Sequence, residues 1–232
     1  MKKIAAIILT LSLSACASFD TYRDPRRGLA PQSASLVAAT ERAGATATSP
    51  SLIRIFKESK ELELWKMAKD GKFELIRTYD ICAFSGDLGP KLKQGDRQAP
   101  EGFYSVSSSQ MNYNSIRFLS MNTGFPNAYD KAHNATGHAL MVHGGCDSAG
   151  CYAIQDGPMQ EVFTSVRDSL KAGQKSVQMQ IYPFRMSTWA MYTNSKNKNI
   201  DFWRQLKFGY DKFETTKKPF EVTVIKGQYS IK

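Results

Sequence analysis

One stretch of the chain gathers reactive side chains at close spacing. His138 opens it, an apolar run leads to His143, and Gly144-Gly145-Cys146-Asp147-Ser148-Ala149-Gly150-Cys151 follows. A thiol beside an imidazole can be held as thiolate at neutral pH, the species that attacks a carbonyl carbon. Glycines next to such a pair let the backbone approach a substrate and let successive amide N–H groups point at a developing oxyanion. Metal binding is the main rival. His138, His143, Cys146 and Cys151 could supply ligands, but no C-x-x-C or H-x-x-x-H pair is present. The two histidines are five apart, so on a strand they face opposite ways, and neither a metal nor a cofactor is expected. A structural His143 beside a disulfide is the bland alternative.

The elements around this stretch read as mostly strands. Short apolar runs at Leu52 to Phe56, Leu62 to Met67 and Phe73 to Ile81 predict three strands, with Asp70-Gly71 as a hairpin turn. Residues 87 to 100, with Gly89, Pro90, Gly95 and Pro100 among charges, predict a surface loop. Strands are expected again at Phe103 to Ser107, Ile116 to Met121 and Ala139 to His143. Met159, Val162, Phe163, Val166 and Leu170 recur at helical spacing between Gly157-Pro158 and Gly173. Val177, Met179 and Ile181 alternate with Gln178 and Gln180, as in a strand with one wet face. Ile200, Trp203, Leu206, Tyr210 and Phe213 predict an amphipathic helix, and Phe220 to Val224 and Tyr229 to Ile231 a last strand pair about Gly227. Many strands and few helices make a β-rich α+β fold. The expected division is a leader over 1–15, a tether over 16–49, a catalytic domain over 50–190, and a C-terminal helix-strand extension over 191–232 packed on it.

The amino terminus sets the expected compartment. Lys2 and Lys3 precede an apolar run, Ile4 to Leu13, too short to span a bilayer, which is the pattern of a signal peptide. Leu13-Ser14-Ala15-Cys16 resembles the lipobox of bacterial lipoproteins, which implies lipidation of Cys16, and Ala17 after it resembles lipoproteins sorted to the outer membrane. Ala15-Cys16-Ala17 also fits plain secretion, which would leave a soluble periplasmic protein. Residues 17 to 49 are rich in Ala, Ser, Thr and Arg without periodicity, hence the tether. The formal charge of +10 falls to +8 without Lys2 and Lys3, and its basic residues are scattered. Nucleic acid is therefore not an expected partner. Setting Cys16 aside leaves Cys82, Cys146 and Cys151, an odd number in an oxidising compartment, so one thiol is expected to be free for chemistry or for an intermolecular bond.

The segment around His143 and Cys151 resembles the L,D-transpeptidase (YkuD-type) catalytic domain, in particular its YafK-like branch. His143-Gly144 matches the H-G of the family pattern, and Ser148-Ala149-Gly150-Cys151 matches S-H-G-C. Gly89-Pro90-Lys91, Pro100-Glu101-Gly102-Phe103-Tyr104, Gly124-Phe125-Pro126-Asn127-Ala128-Tyr129-Asp130 and Tyr182-Pro183-Phe184-Arg185-Met186 extend the likeness over roughly residues 50 to 231. The resemblance implies a mixed β-sheet domain with Cys151 as nucleophile and His143 as general base. Gly144 orients the imidazole through its carbonyl, and the Gly150 and Cys151 N–H groups form the oxyanion hole. It also implies Tyr129, His133, Ser148 and Tyr152 as substrate-binding residues, with Glu101 and Arg185 as framework. Ala149 and Ala153 depart from the basic residues of the pattern and leave the acyl acceptor open.

The implied activity is acyl transfer from the diaminopimelate carbonyl of peptidoglycan stem peptides, through a thioester, to an amine of another stem, a D-amino acid or a wall-linked protein. The alternatives are an amide hydrolase that cuts diaminopimelate-centred links such as those to peptidoglycan-attached protein, and a non-catalytic wall-binding lipoprotein. With Cys16 lipidated and Cys151 catalytic, Cys82 and Cys146 are the thiols left to pair, two buried free thiols being the other possibility.

Overall fold

The computed structural model describes residues 23–232; Cys16 and the leader lie outside the described residues. Strands β1 (Ser51–Phe56), β2 (Glu61–Met67) and β3 (Phe73–Asp80) form an antiparallel meander where the apolar runs predict it. At the β2–β3 turn Asp70 accepts from the Lys72 amide (3.0 Å) and Gly71 takes φ +80°, which glycine adopts without steric cost. β4 (Gly102–Val106) and β9 (Val177–Tyr182) complete a five-stranded sheet of order β3-β2-β1-β9-β4, antiparallel except for the β1–β9 pair.

Both faces of this sheet are covered. Alternation along β1 sends Ile53 and Ile55 to one core, with Val162, Phe163 and Val166 of α3 (Asp156–Lys171). Leu52 and Phe56 go to a second core, with Trp203, Leu206 and Phe213 of α5 (Ile200–Thr216). Burial on both faces explains why β1 from Leu52 to Phe56 reads as an apolar run broken only by Arg54. That guanidinium lies over the rings of Phe213 and Tyr210 at 4.7 and 4.9 Å and reaches Glu214 at 2.7 Å. The glutamine face of β9, expected to be wet, is covered. Gln178 donates to Phe220 O (2.8 Å) and Gln180 to Gln178 Oε1 (2.8 Å), because α5 and the hairpin of β10 (Val222–Ile225) and β11 (Gln228–Ile231) close over it.

The tether reading is corrected for much of its length. Residues 25–29 form a 3-10 turn and Ala34–Arg42 form helix α1, capped by Ser33, whose hydroxyl accepts from the Leu36 amide (3.1 Å). Polar contacts seat this segment on α3: Arg167 donates to Gly28 O and Ala30 O (both 2.7 Å), and Ser33 donates to Glu161 (2.6 Å). Only Leu36 and Thr40 of α1 are buried, too few to print an apolar period on the sequence.

A second, four-stranded sheet carries the reactive stretch: β5 (Met111–Asn112), β6 (Ser120–Asn122), β7 (Met141–His143) and β8 (Tyr152–Ala153), in that order. The strand expected over 116–121 begins only at Ser120, since Ile116 is exposed and Phe118 has φ +69°. Two short helices, α2 (Ala128–Ala132) and α4 (Thr188–Thr193), are capped by Asn127 and Ser187.

Candidate active site

Strand alternation places the reactive groups. On β7, Val142 points into the core and Met141 and His143 line a cavity; on the parallel neighbour β8, Tyr152 is buried opposite Val142. Cys151, one residue before Tyr152, therefore emerges on the His143 side, and both side chains line the same cavity of about 760 Å³. The Met141 amide donates to Cys151 Sγ at 3.4 Å. His143 is buried, with Nδ1 2.6 Å from Gly144 O. A proton on Nδ1 satisfies that carbonyl and leaves Nε2 as the acceptor.

Gly144 could not be another residue here. An added Cβ would sit 2.7 Å from Asp156 Oδ1, 2.8 Å from Phe118 Cβ and 2.9 Å from Arg117 O. Asp156, in the first turn of α3, also accepts from the Gly145 amide at 2.8 Å, and the Ile154 amide donates to His143 O at 3.1 Å. Cys146, inside the His143–Cys151 loop, is disulfide-bonded to Cys82 with Cα atoms 5.6 Å apart, so Cys151 is the free thiol among the described residues. By loop-closure entropy a bond of this separation is worth about 4 kcal/mol. It also removes both cysteines from any ligand set, and no group of three or more His, Cys, Asp or Glu among the described residues is placed to hold a metal ion.

Burial sets the protonation state. It pushes the Cys151 thiol up from its ordinary value, outweighing the Met141 amide and the positive charges of Arg117 and Lys91. It pushes His143 down, against the Gly144 carbonyl that would raise it. The resting pair is thus a neutral thiol and a neutral imidazole rather than the thiolate that close spacing suggests. A neutral imidazole whose Nδ1 proton goes to Gly144 O can accept a further proton at Nε2.

The other expected residues divide. Ser148 lines the cavity, yet its hydroxyl is occupied: it accepts from the Cys151 amide (2.9 Å) and donates to Cys151 O (2.7 Å), closing the turn that presents Cys151. The Cys151 N–H must leave Ser148 to serve an oxyanion; the Gly150 N–H, at φ +111°, has no partner among the described residues. Tyr152 is not a substrate contact: it is fully buried and donates to Pro100 O at 2.7 Å. Tyr129 and His133 are also displaced from the site. Tyr129 is buried in the second core, stacked on Tyr229 and His133 with centroids at 4.5 and 4.1 Å, and neither lines the Cys151 cavity. Glu101 is framework, accepting from Lys57 (3.0 Å), the Gly89 amide (2.6 Å) and Trp203 (2.9 Å).

Sequence reasoning missed Ser120. It is paired across strands with His143, and the Gly144 amide donates to Leu119 O (3.1 Å), which makes 120/143 a non-hydrogen-bonded pair with side chains close together. Its Oγ is buried in the cavity wall without a hydrogen-bond partner among the described residues. Arg117, ion-paired to Asp147 at the rim, was also missed. No local signal marks either residue, because both arrive through register and loop path.

A free thiol and a neutral imidazole sharing one cavity, with the imidazole held by a backbone carbonyl, make a cysteine–histidine site. No family model matches the chain, but it is 44% identical, over all of its 232 residues and 91% of the relative, to the protein of Escherichia coli (strain K12) called "Putative L,D-transpeptidase YafK". The protein belongs to the YafK-like L,D-transpeptidase family. Among solved structures it is distantly similar to the helical cell shape determining protein Pgp2 of Campylobacter jejuni (TM-score 0.46, 16% identity, 81% of this chain and 80% of that one). Bd1075 of Bdellovibrio bacteriovorus is more distant (TM-score 0.39, 17% identity, 76% and 75%).

Proposed function

We propose that the protein is a periplasmic cysteine acyltransferase that acts on peptidoglycan stem peptides at the diaminopimelate carbonyl, anchored through Cys16. The observation that carries the chemistry is the shared cavity of Cys151 and His143, with Nδ1 committed to Gly144 O and Nε2 left to accept. Sγ attacks the carbonyl carbon while His143 takes the thiol proton. The Gly150 N–H, and the Cys151 N–H once it leaves Ser148, hold the oxyanion. Collapse breaks the C–N bond, and the imidazolium returns its proton to the departing amine, leaving a thioester. An incoming amine gives transfer, and water gives hydrolysis. Ser120, beside His143, offers its unpaired hydroxyl to the imidazolium.

The test is covalent capture followed by product analysis. A carbapenem should add once to the protein, at Cys151, and Cys151→Ala should stay unlabelled; labelling elsewhere overturns the assignment. Tetrapeptide muropeptides with and without an added D-amino acid separate the two fates. Exchanged or cross-linked products mark transfer, shortened or unlinked ones mark hydrolysis, and unchanged stems remove both. A membrane-bound protein released by Cys16→Ser checks the anchor.

A further inference from the structure

The Cys151 cavity carries more positive charge than its chemistry uses. Arg23, Arg97 and Arg117 line it, from the segment before the N-terminal 3-10 turn, the 85–99 loop and the turn entering β6. Asp147 is the one carboxylate in that lining among the described residues, and Arg117 already holds it. The Arg23 and Arg97 guanidinium groups have no ion-pair or hydrogen-bond partner among the described residues. Across the whole chain the basic excess is milder, 31 Lys and Arg against 21 Asp and Glu. Two unneutralised guanidinium groups at the mouth of a concave site focus a positive potential on whatever enters it.

Arg97 is also held in place by its backbone. Ser85 donates to Arg97 O at 2.6 Å, and the next amide, of Gln98, donates to Asp96 at 3.0 Å. Gln98 in turn donates to Gly89 O at 2.8 Å, where the buried Lys57–Glu101 pair anchors the loop. Arg97 itself adopts φ +55°, a conformation that a side-chain-bearing residue takes at a cost. A fixed loop thus presents an exposed, unpaired guanidinium at the cavity holding the nucleophile. Arginine in such a place is suited to a planar, bidentate anion, and a carboxylate matches its fork. The cavity volume, about 760 Å³, suits a short peptide.

We propose that Arg97 is a specificity-determining residue of this cavity: its exposed guanidinium, with Arg23 on the same lining, takes a free carboxylate that the peptide carries within a residue or two of the carbonyl that Cys151 attacks. This rests on the acyl-transfer reading only for which carbonyl is attacked. Arg117 plays the lesser part, because Asp147 already neutralises it.

Binding can be tested without turnover. The full chain carrying Cys151→Ala is titrated calorimetrically with two synthetic stem tetrapeptides that differ only in a free acid or a primary amide at that carboxylate. The acid should bind about ten- to a hundredfold more tightly, the ratio shrinking as salt rises. Adding Arg97→Gln should bring the two affinities to within about threefold, and Arg97→Lys should keep part of the preference. Unchanged melting of both variants shows that they fold, as expected for an exposed side chain without a partner. Equal affinities, binding of neither peptide, or a preference that survives Arg97→Gln overturns the proposal. Turnover by the unaltered protein reports separately on acyl transfer: conversion of both peptides at one rate overturns this inference alone, and discrimination in binding without any conversion overturns the acyl-transfer reading alone.

Discussion

Ser120→Ala should raise stability while lowering activity, and the structure supplies both magnitudes. Ser120 is 1% exposed and its Oγ has no hydrogen-bond partner among the described residues. A hydroxyl buried in that way costs about 1–3 kcal/mol relative to water. Alanine removes the polar atom and leaves a gap of one heavy atom, whose cavity cost returns part of the gain. The net is a stabilisation of about 1 kcal/mol, or a melting temperature higher by about 2–4 °C for a domain of this size. Activity should move the other way. Ser120 faces His143 across the β6–β7 pair, where its hydroxyl can meet the charge that develops on the imidazole. Loss of one such contact predicts a fall in kcat of about tenfold or more with KM little changed. Scanning calorimetry and kinetics of Cys151 acylation measure the two effects on one preparation. A lower melting temperature would show that Oγ has a native partner and refute the stability argument. Unchanged acylation kinetics would refute the functional one.

Three further predictions follow from the same site. Gly144→Ala should cut acylation about a hundredfold, because a Cβ within 2.7–2.9 Å of Asp156, Phe118 and Arg117 displaces the carbonyl that holds His143; retention of more than a third of wild-type kcat/KM would refute this. The pH profile of kcat/KM should rise through a value below the ordinary 6.5 of histidine, since burial lowers the His143 pKa and deprotonation makes it a base. The profile should then stay level past 9, because burial keeps the thiol protonated, and an acidic limb centred above pH 7 contradicts that assignment. Tyr152→Phe should cost about 1–3 kcal/mol in urea unfolding by leaving Pro100 O without its donor, while KM for the peptide stays the same; a raised KM with no loss of stability would return Tyr152 to the substrate site.

Strong local periodicity was legible throughout. The strands at Ser51–Phe56 and Glu61–Met67, and the helices at Asp156–Lys171 and Ile200–Thr216, stand within a few residues of where their apolar spacing puts them. Elements held by few buried residues were not legible. α1 buries two side chains and relies on polar contacts with α3 more than a hundred residues away, so its sequence looks like a tether. The wet face assigned to Gln178 and Gln180 failed for a related reason: alternation tells which side chains share a face, and only the distant C-terminal hairpin decides whether that face sees water.

For the proposed site, the sequence alone put forward the pair of His143 and Cys151 with their glycines, because His143, Gly144, Gly150 and Cys151 lie on one short loop and are residue types that few other roles require. It also narrowed the Cys82–Cys146 pairing, since few thiols remained. Tertiary structure decided the rest. It put Tyr152 in the core, carried Tyr129 into the second core with His133 stacked on it, and closed Ser148 onto the Cys151 backbone. It also brought in Ser120 by strand register and Arg97 by loop path. Register and loop path depend on what the whole chain buries, and one-residue shifts reverse which face a side chain takes, so no window of sequence around the motif contains that information.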